Sequence, residues 1–159
     1  MSQRTAEQTP EDHMPITGEY APSTSSWVAE QVEAYEASGG TEANTLLDTG
    51  IPIIIVTMLG AKSGKVRKIG LMRVEHDGEY ALVASKGGHP EHPGWYLNLV
   101  ADPRVMIQDG PTALDYVVRE VEGAERDTWW KRSVAVYPPY EEYAAKAGRL
   151  IPVLIASPV

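Results

Sequence analysis

Two Asp-Gly pairs constrain this chain more than any other feature. Asp77-Gly78 stands between KIGLMRVEH and EYALVASK, and Asp109-Gly110 between RVMIQD and TALDYVVREV. Asp-Gly suits tight hairpin turns, because glycine and aspartate enter the backbone region that such turns require at little cost. The flanking runs are rich in β-branched and apolar residues, so each reads as a strand. Two hairpins of this kind mean antiparallel pairing. The runs IPIIIVTM and LIPVLIAS add a strand before and after them.

Helical patterns are confined to the edges of this strand grammar. In SSWVAEQVEAYEASGG, Val28, Val32 and Tyr35 recur at helical spacing with Trp27 beside them; Ser26 can cap the start and Gly39-Gly40 ends it. This gives an amphipathic helix over 26–38 with an acidic outer face. A short helix is expected around Trp95 to Val100. GAERDTWWKRSVAVYPP carries Trp130, Val134 and Tyr137 on one stripe and stops at Pro138-Pro139, and PYEEYAAKAG forms a last helix ending at Gly148. About six strands, edge helices and no alternating βαβ units predict an α+β fold built on an antiparallel β-barrel or strongly coiled sheet. Residues 1–24, rich in Pro, Ser, Thr and Glu without periodicity, read as a flexible arm, and 25–159 as one domain, since 159 residues suit a single core.

Charge is unevenly spread. The formal net charge is -8, and residues 1–50 hold nine acids against the single base Arg4. General nucleic-acid binding is excluded, because it needs net positive charge over a wide face. Yet GAKSGKVRKIGLMRV, Gly60 to Val74, carries Lys62, Lys65, Arg67, Lys68 and Arg73 with no acid. It is not a nucleotide-binding P-loop: only three residues separate Gly60 from Gly64, and Val66 follows Lys65. A glycine-shaped loop with lysines fits a small polyanion, with a solvated basic loop as the plain alternative. Lys86 ends a strand across a hairpin from Arg67, so both basic clusters are expected at one end of the barrel. No apolar run is long enough to cross a bilayer, no secretory signal is evident, and there is no cysteine, which together predict a cytoplasmic location.

Two further segments stand out. In SKGGHPEHPGWYLNL, Gly87-Gly88 permits close backbone approach and Trp95 offers a flat stacking surface. His89 and His92 lack a third ligand at familiar spacing, so no metal is expected and they read as orienting the loop. Tyr137, Tyr140 and Tyr143 share one face near the end of the chain and can line a concavity, their hydroxyls donating to a carbonyl or nitro oxygen; ordinary core tyrosines are the plain alternative. Glu141-Glu142 reads as a solvated pair. With no cysteine and no nucleophile elbow, the chain reads as a pocket for a reactive cofactor.

These three segments together resemble the deazaflavin-dependent nitroreductase family of actinobacteria, over roughly Asp48 to Ser157. The resemblance implies a split β-barrel like that of FMN-binding relatives, with reduced coenzyme F420 in a groove. It implies that Lys62, Arg67 and Lys86, with Lys65 and Lys68 as weaker candidates, hold the anionic tail and phosphate. It also implies that Ile69, Gly70, Leu71, Ser85 and Gly87 meet the ring or ribityl chain, and that Trp95 packs beside the cofactor. Tyr137, Tyr140 and Tyr143 then lie on the substrate side, with Tyr137 first and Tyr140 second as the hydrogen-bond or proton donor. The implied reaction is hydride transfer to a quinone, enone or nitro compound. Met72 stands where the nitroimidazole-activating member of that family has a tyrosine, which argues against bicyclic nitroimidazoles. The competing readings are an FMN-dependent split-barrel oxidoreductase and a non-catalytic F420 carrier. A peripheral membrane contact is left open, and a monomer is slightly favoured.

Overall fold

The computed structural model describes residues 15–47 and 49–159. Of the arm expected over 1–24, residues 1–14 lie outside the described residues, as does Asp48. The elements are α1 (Ser26–Ala37), β1 (Ile53–Leu59), β2 (Val66–Met72), β3 (Glu75–His76), β4 (Glu79–Val83), a 3-10 turn (Lys86–Gly88), α2 (Gly94–Ala101), β5 (Arg104–Asp109), β6 (Thr112–Glu120), α3 (Gly123–Val136), α4 (Pro139–Ala147) and β7 (Val153–Pro158).

All seven strands form one sheet in the order β2-β1-β5-β6-β7-β4-β3, and every pair is antiparallel. β2 and β3 occupy opposite edges, yet only Arg73 and Val74 separate them in sequence. Arg73 N still donates to Pro52 O beside β1, while Val74 O already accepts from Ala81 N of β4. The continuous stretch 66–76 therefore crosses from one edge to the other, and the sheet curls on itself. This is the expected α+β antiparallel split β-barrel with peripheral helices, and its one crossing strand is the device that closes it.

Local chemistry explains the turns. In the first hairpin Asp77 and Gly78 both take positive φ, 51° and 81°, as a two-residue turn of matching twist demands. The second turn falls one residue later than the sequence suggests: Asp109 pairs with Thr112, so Gly110 (φ 63°) and Pro111 make the loop. Asp109 is freed for another task. Arg73 Nε donates to both of its carboxylate oxygens at 3.0 and 2.9 Å, and the Tyr80 hydroxyl donates at 2.6 Å. One carboxylate thus ties the crossing strand, β4 and β5 together.

The apolar face of the sheet follows its two-residue period. Ile54, Val56 and Met58 point inward with Leu82, Leu99, Val105, Ile107 and Leu154, and Ile53 and Ile55 point outward onto Val32 and Tyr35 of α1. α3 and α4 cover the opposite outer face through Trp129, Tyr140, Val83 and Val153. Two expectations for α1 need correction. Trp27 is 52% exposed rather than part of the buried face, because the helix turns Val32 and Tyr35 inward. The cap position is Ser25, not Ser26, and no side chain bonds there. The arm is also not free throughout: Glu19 O and Ala21 N bond to the Val66 peptide, laying residues 19–21 along β2. Among the described residues no helix is long and apolar enough to cross a membrane.

Candidate active site

Antiparallel order fixes which connections share an end of the barrel. β1, β4 and β6 finish at the end where β2, β5 and β7 begin, so the linkers 60–65, 84–103 and 121–152 all lie at that end. It gathers the basic loop, Ser85-Lys86, α2, α3 and α4. At the same end β2 pairs only with β1 and the arm, whereas Leu82 and Val83 of β4 pair only with β7. The two edges diverge above Val74, leaving a split between them. Lys86 and Arg67 are therefore not hairpin neighbours, as the sequence suggested, but belong to opposite lips of this split. Lys86 also does not end a strand: β4 stops at Val83, and Lys86 opens the 3-10 turn.

The six basic residues divide by partner. Arg73 is committed to Asp109 at the other end of the barrel. Lys68 pairs with Glu36 of α1 at 2.6 Å and sits over the Tyr20 ring at 5.2 Å, and Lys65 pairs with Glu19 at 2.9 Å. Lys62, Arg67 and Lys86 form no ion pair or side-chain hydrogen bond among the described residues. Lys62 and Lys86 are exposed, and Arg67 is half-buried. Arg67 is opposite Met58 on the inward face of β2, and its Cγ passes alongside Gly60. Asn98 of α2 links these parts: its Oδ1 accepts from Ala61 N at 2.9 Å, and its Nδ2 lies 3.7 Å from the Met58 sulfur. Trp95, one helical turn earlier on α2, is half-buried against the inner core. Loop 60–65, Arg67 and Trp95 thus share one corner.

Within β2 the candidate residues alternate. Ile69 and Leu71 pack inward with the core, whereas a side chain at Gly70 would meet Ile53 and Gln31 beneath α1. What all three positions share is the strand edge. The peptide groups of Val66 and Val74 turn away from β1, as their bonds to Glu19 O, Ala21 N and Ala81 N show. The same alternation turns those of Lys68, Gly70 and Met72 toward the split. No hydrogen-bond partner among the described residues meets them. Buried or half-buried peptide groups rarely stay unpaired without water or a ligand. Ser85 is buried on the other lip.

The three tyrosines do come together, but unequally. Their ring centroids are 5.0, 5.9 and 6.3 Å apart, and the Tyr137 and Tyr143 hydroxyls are 2.9 Å apart. The hydrogen bond to Tyr143, aided by burial, pushes the Tyr137 phenol up to about 12. Tyr140 instead is a core residue, 6% exposed against Val83 and Ile151, and burial pushes its phenol upward. The concavity expected from three phenols therefore reduces to Tyr137 and Tyr143, because α4 turns Tyr140 toward the sheet. Met72 and Trp130 pack against the same cluster.

Gly87 and Gly88 also separate. Gly87 (φ 62°) has open space around it. At Gly88 (φ 82°) a Cβ would stand 3.0 Å from the Tyr143 Cα, so this glycine serves the approach of α4 rather than of a ligand. The His92 ring lies 4.7 Å from that of Tyr96, tilted by 44°, and meets Arg149 at 3.2 Å. Since arginine only donates, His92 Nδ1 accepts and its proton resides on Nε2. Among the described residues no group of three His, Asp or Glu side chains is placed to hold a metal. Arg149 carries no sequence signal, and Asn98 enters the sequence only as part of the run that resembles the family, without a role, since each acts through contacts far away in the chain.

The polar surface of the split suits a flat heteroaromatic ring joined to a chain of negative charges: unpartnered peptide groups for the ring, unpaired cations for the chain, and Trp95 at the corner. The profile of the F420H(2)-dependent quinone reductase family matches residues 27–158. An F420H(2)-dependent quinone reductase of Mycobacterium tuberculosis (strain H37Rv) is 33% identical over 107 residues, covering 65% of this chain and 72% of that protein. A solved structure of an F420-H2 dependent reductase (FDR-A) is 57% identical, with a TM-score of 0.64 over 67% of this chain and 94% of that one. Another, described as a domain-swapped dimer, is 52% identical, with a TM-score of 0.66 over 85% of this chain and 100% of that one. A heme-binding protein of Mycobacterium smegmatis, 17% identical with a TM-score of 0.55 over 79% of this chain and 51% of that one, shares the fold alone. With a profile running from α1 to β7, the chain belongs to the F420H(2)-dependent quinone reductase family.

Proposed function

We propose that the protein is an F420H2-dependent oxidoreductase that reduces a quinone at the mouth of the split. The observation that carries this reading is the trio Lys62, Arg67 and Lys86, left without ion-pair partners among the described residues at the end where the barrel opens. When bound, reduced F420 supplies a hydride to the acceptor ring. Lys62, Arg67 and Lys86 would bind the phosphodiester and glutamate carboxylates of the coenzyme. The β2 edge at Lys68, Gly70 and Met72 would orient its ring through peptide hydrogen bonds, with Ile69, Leu71, Ser85 and Trp95 excluding water.

Tyr137 and Tyr143 would then act on the acceptor. A phenol held protonated is a donor, not a base, at neutral pH. Tyr137 is such a donor, because its pKa is pushed up to about 12, first by Tyr143 and then by burial. With an acceptor bound, Tyr143 would donate to Tyr137 instead, freeing the Tyr137 proton to polarise the quinone carbonyl as negative charge develops on that oxygen. Enones and nitro compounds present the same kind of acceptor oxygen and belong to the proposal as slower substrates. The domain-swapped dimer described for the 52% identical relative supports a dimer rather than a monomer for this chain. A cytoplasmic setting in contact with a membrane quinone pool completes the reading.

The test is oxidation of F420H2 by menadione, cyclohexenone and a nitroaromatic, followed by the deazaflavin absorbance. Protein-dependent oxidation with menadione is expected. Binding of F420H2 with no oxidation by any of the three indicates a carrier, and yellow protein from a host lacking F420 indicates FMN.

A further inference from the structure

We propose that Arg149 is a positioning residue for the anion-binding arm, holding residues 84–92, and with them Ser85 and Lys86, against the helix that carries Tyr143. The inference rests on the F420 reading above. Arg149 directly follows Gly148, the left-handed residue (φ 65°) that ends α4. Its guanidinium then serves acceptors spread over the whole loop. Nε donates to His89 O at 3.1 Å, and Nη1 to His92 Nδ1 at 3.2 Å. Nη2 is shared among the carbonyls of Ala84, Ser85 and Glu91 at 3.2, 3.1 and 3.0 Å.

Apart from this fork, the loop is tied to the rest of the described chain by one backbone bond, Ala84 N to Pro152 O, by the His92–Tyr96 ring contact and by Gly88 packing on Tyr143. Its own backbone bonds are Gly88 N to Ser85 O and His89 N to Lys86 O, with Glu91 N reaching His89 Nδ1. Lys86 adopts a φ of 47°, a conformation uncommon for a long side chain, which persists only when its surroundings over-determine it. The planar five-donor fork of arginine can supply that constraint at several carbonyls together, whereas a lysine ammonium is a single point. On the other side of the loop Gly88 abuts the Tyr143 backbone. Arg149 thus sets how the cation on one lip of the split stands relative to the phenol pair. A cation already in place loses less freedom when it binds an anion, so the consequence falls on coenzyme affinity.

The experiment uses the full chain with Arg149→Ala, Arg149→Lys and, as the milder change, Arg149→Gln. F420 affinity is read by fluorescence titration, and amide hydrogen exchange of residues 84–92 is read in protein without coenzyme. The expected result is roughly tenfold weaker F420 binding in the alanine and lysine variants, with the KM for menadione unchanged. Exchange at the Gly88 and His89 amides is expected to accelerate, and added guanidinium ion to restore F420 binding to Arg149→Ala but not to Lys86→Ala. Wild-type protein that takes up no F420 overturns the functional reading itself. Wild-type binding together with folded variants that bind F420 within about twofold of it, or exchange as slowly, overturns only the role of Arg149. Failure of all three variants to fold overturns it too, because the residue would then be a requirement of the fold.

Discussion

The hydroxyls of Tyr137 and Tyr143 lie 2.9 Å apart at the mouth of the split, one on the residue that caps α3 and the other within α4. One phenol must donate to the other, which leaves a single hydroxyl proton free for an acceptor oxygen. The pair can therefore offer one hydroxyl proton to an outside acceptor at a time.

Replacing Tyr137 with phenylalanine removes the donor proposed to polarise the quinone. The expected outcome is a kcat for menadione lower by about tenfold, with F420 affinity unchanged, since loss of one such donor costs on the order of 1.4 kcal/mol or more of transition-state stabilisation. Steady-state kinetics beside a binding titration checks it. Unchanged kcat removes Tyr137 from the reaction.

The pH dependence follows from the same contact. Because Tyr137 is pushed up to about 12, its phenol keeps its proton through neutral and mildly alkaline pH. The rate is expected to show no tyrosine inflection below about pH 10. Tyr143→Phe removes the leading cause of the shift, so Tyr137 is expected to titrate nearer its ordinary value of about 10, read by the ultraviolet phenolate signal.

Much of this architecture was legible in the chain. The Asp-Gly hairpins, the β-branched runs and the absence of βαβ units are local signals, and they led to an antiparallel barrel. What sequence could not give was pairing at a distance. Lys65 and Lys68 look like Lys62 until Glu19 and Glu36 are seen to neutralise them. Tyr140 lies one helical turn before Tyr143, but α4 points it at Val83 and Ile151 in the core. The Asp-Gly pair marks Asp109 as a turn residue, and a one-residue shift of the loop makes it the partner of Arg73 and Tyr80. Arg149 carries no motif, because its acceptors are backbone carbonyls some sixty residues away.

Lys68 tests the division between cations already paired within the fold and those proposed to bind the coenzyme. With Glu36 as partner and Tyr20 beneath it, Lys68→Ala is expected to lower stability by about 0.5 to 1 kcal/mol in urea unfolding. F420 affinity is expected to change less than about twofold, against a clear loss for Lys62→Ala with Lys86→Ala. Equal effects of the two changes on affinity would contradict the division by partner.

Gly40 joins α1 to the second hairpin. It has a φ of 79°, and a Cβ there would stand 2.5 Å from the Gly110 Cα. Backbone cannot move aside as a side-chain tip can, so Gly40→Ala is expected to destabilise the protein by about 2 to 4 kcal/mol. Gly39→Ala has open space and meets only the strain of its φ of 64°, costing about 1 kcal/mol. Paired denaturation curves give both values.

Alkaline stability tests the closure at the other end of the barrel. Burial, then the hydrogen bond to Asp109, raises the Tyr80 pKa above its ordinary value. A phenol raised in the folded state stabilises the fold fully below about pH 10, its unfolded value, and the contribution is lost as pH climbs toward the folded one. Tyr80→Phe is therefore expected to flatten the fall in urea midpoint above about pH 10. An unchanged slope would show that the contact with Asp109 does not respond to pH.

If Lys62, Arg67 and Lys86 form a cradle for a polyanionic coenzyme, calorimetric titration of the folded protein with F420 at low and at high ionic strength will reveal it. Saturable binding is expected that weakens as salt screens the cations over about 8 to 10 Å, and that is largely abolished when all three are changed to alanine. No heat of binding at low salt, or affinity indifferent to both salt and the triple change, would contradict it.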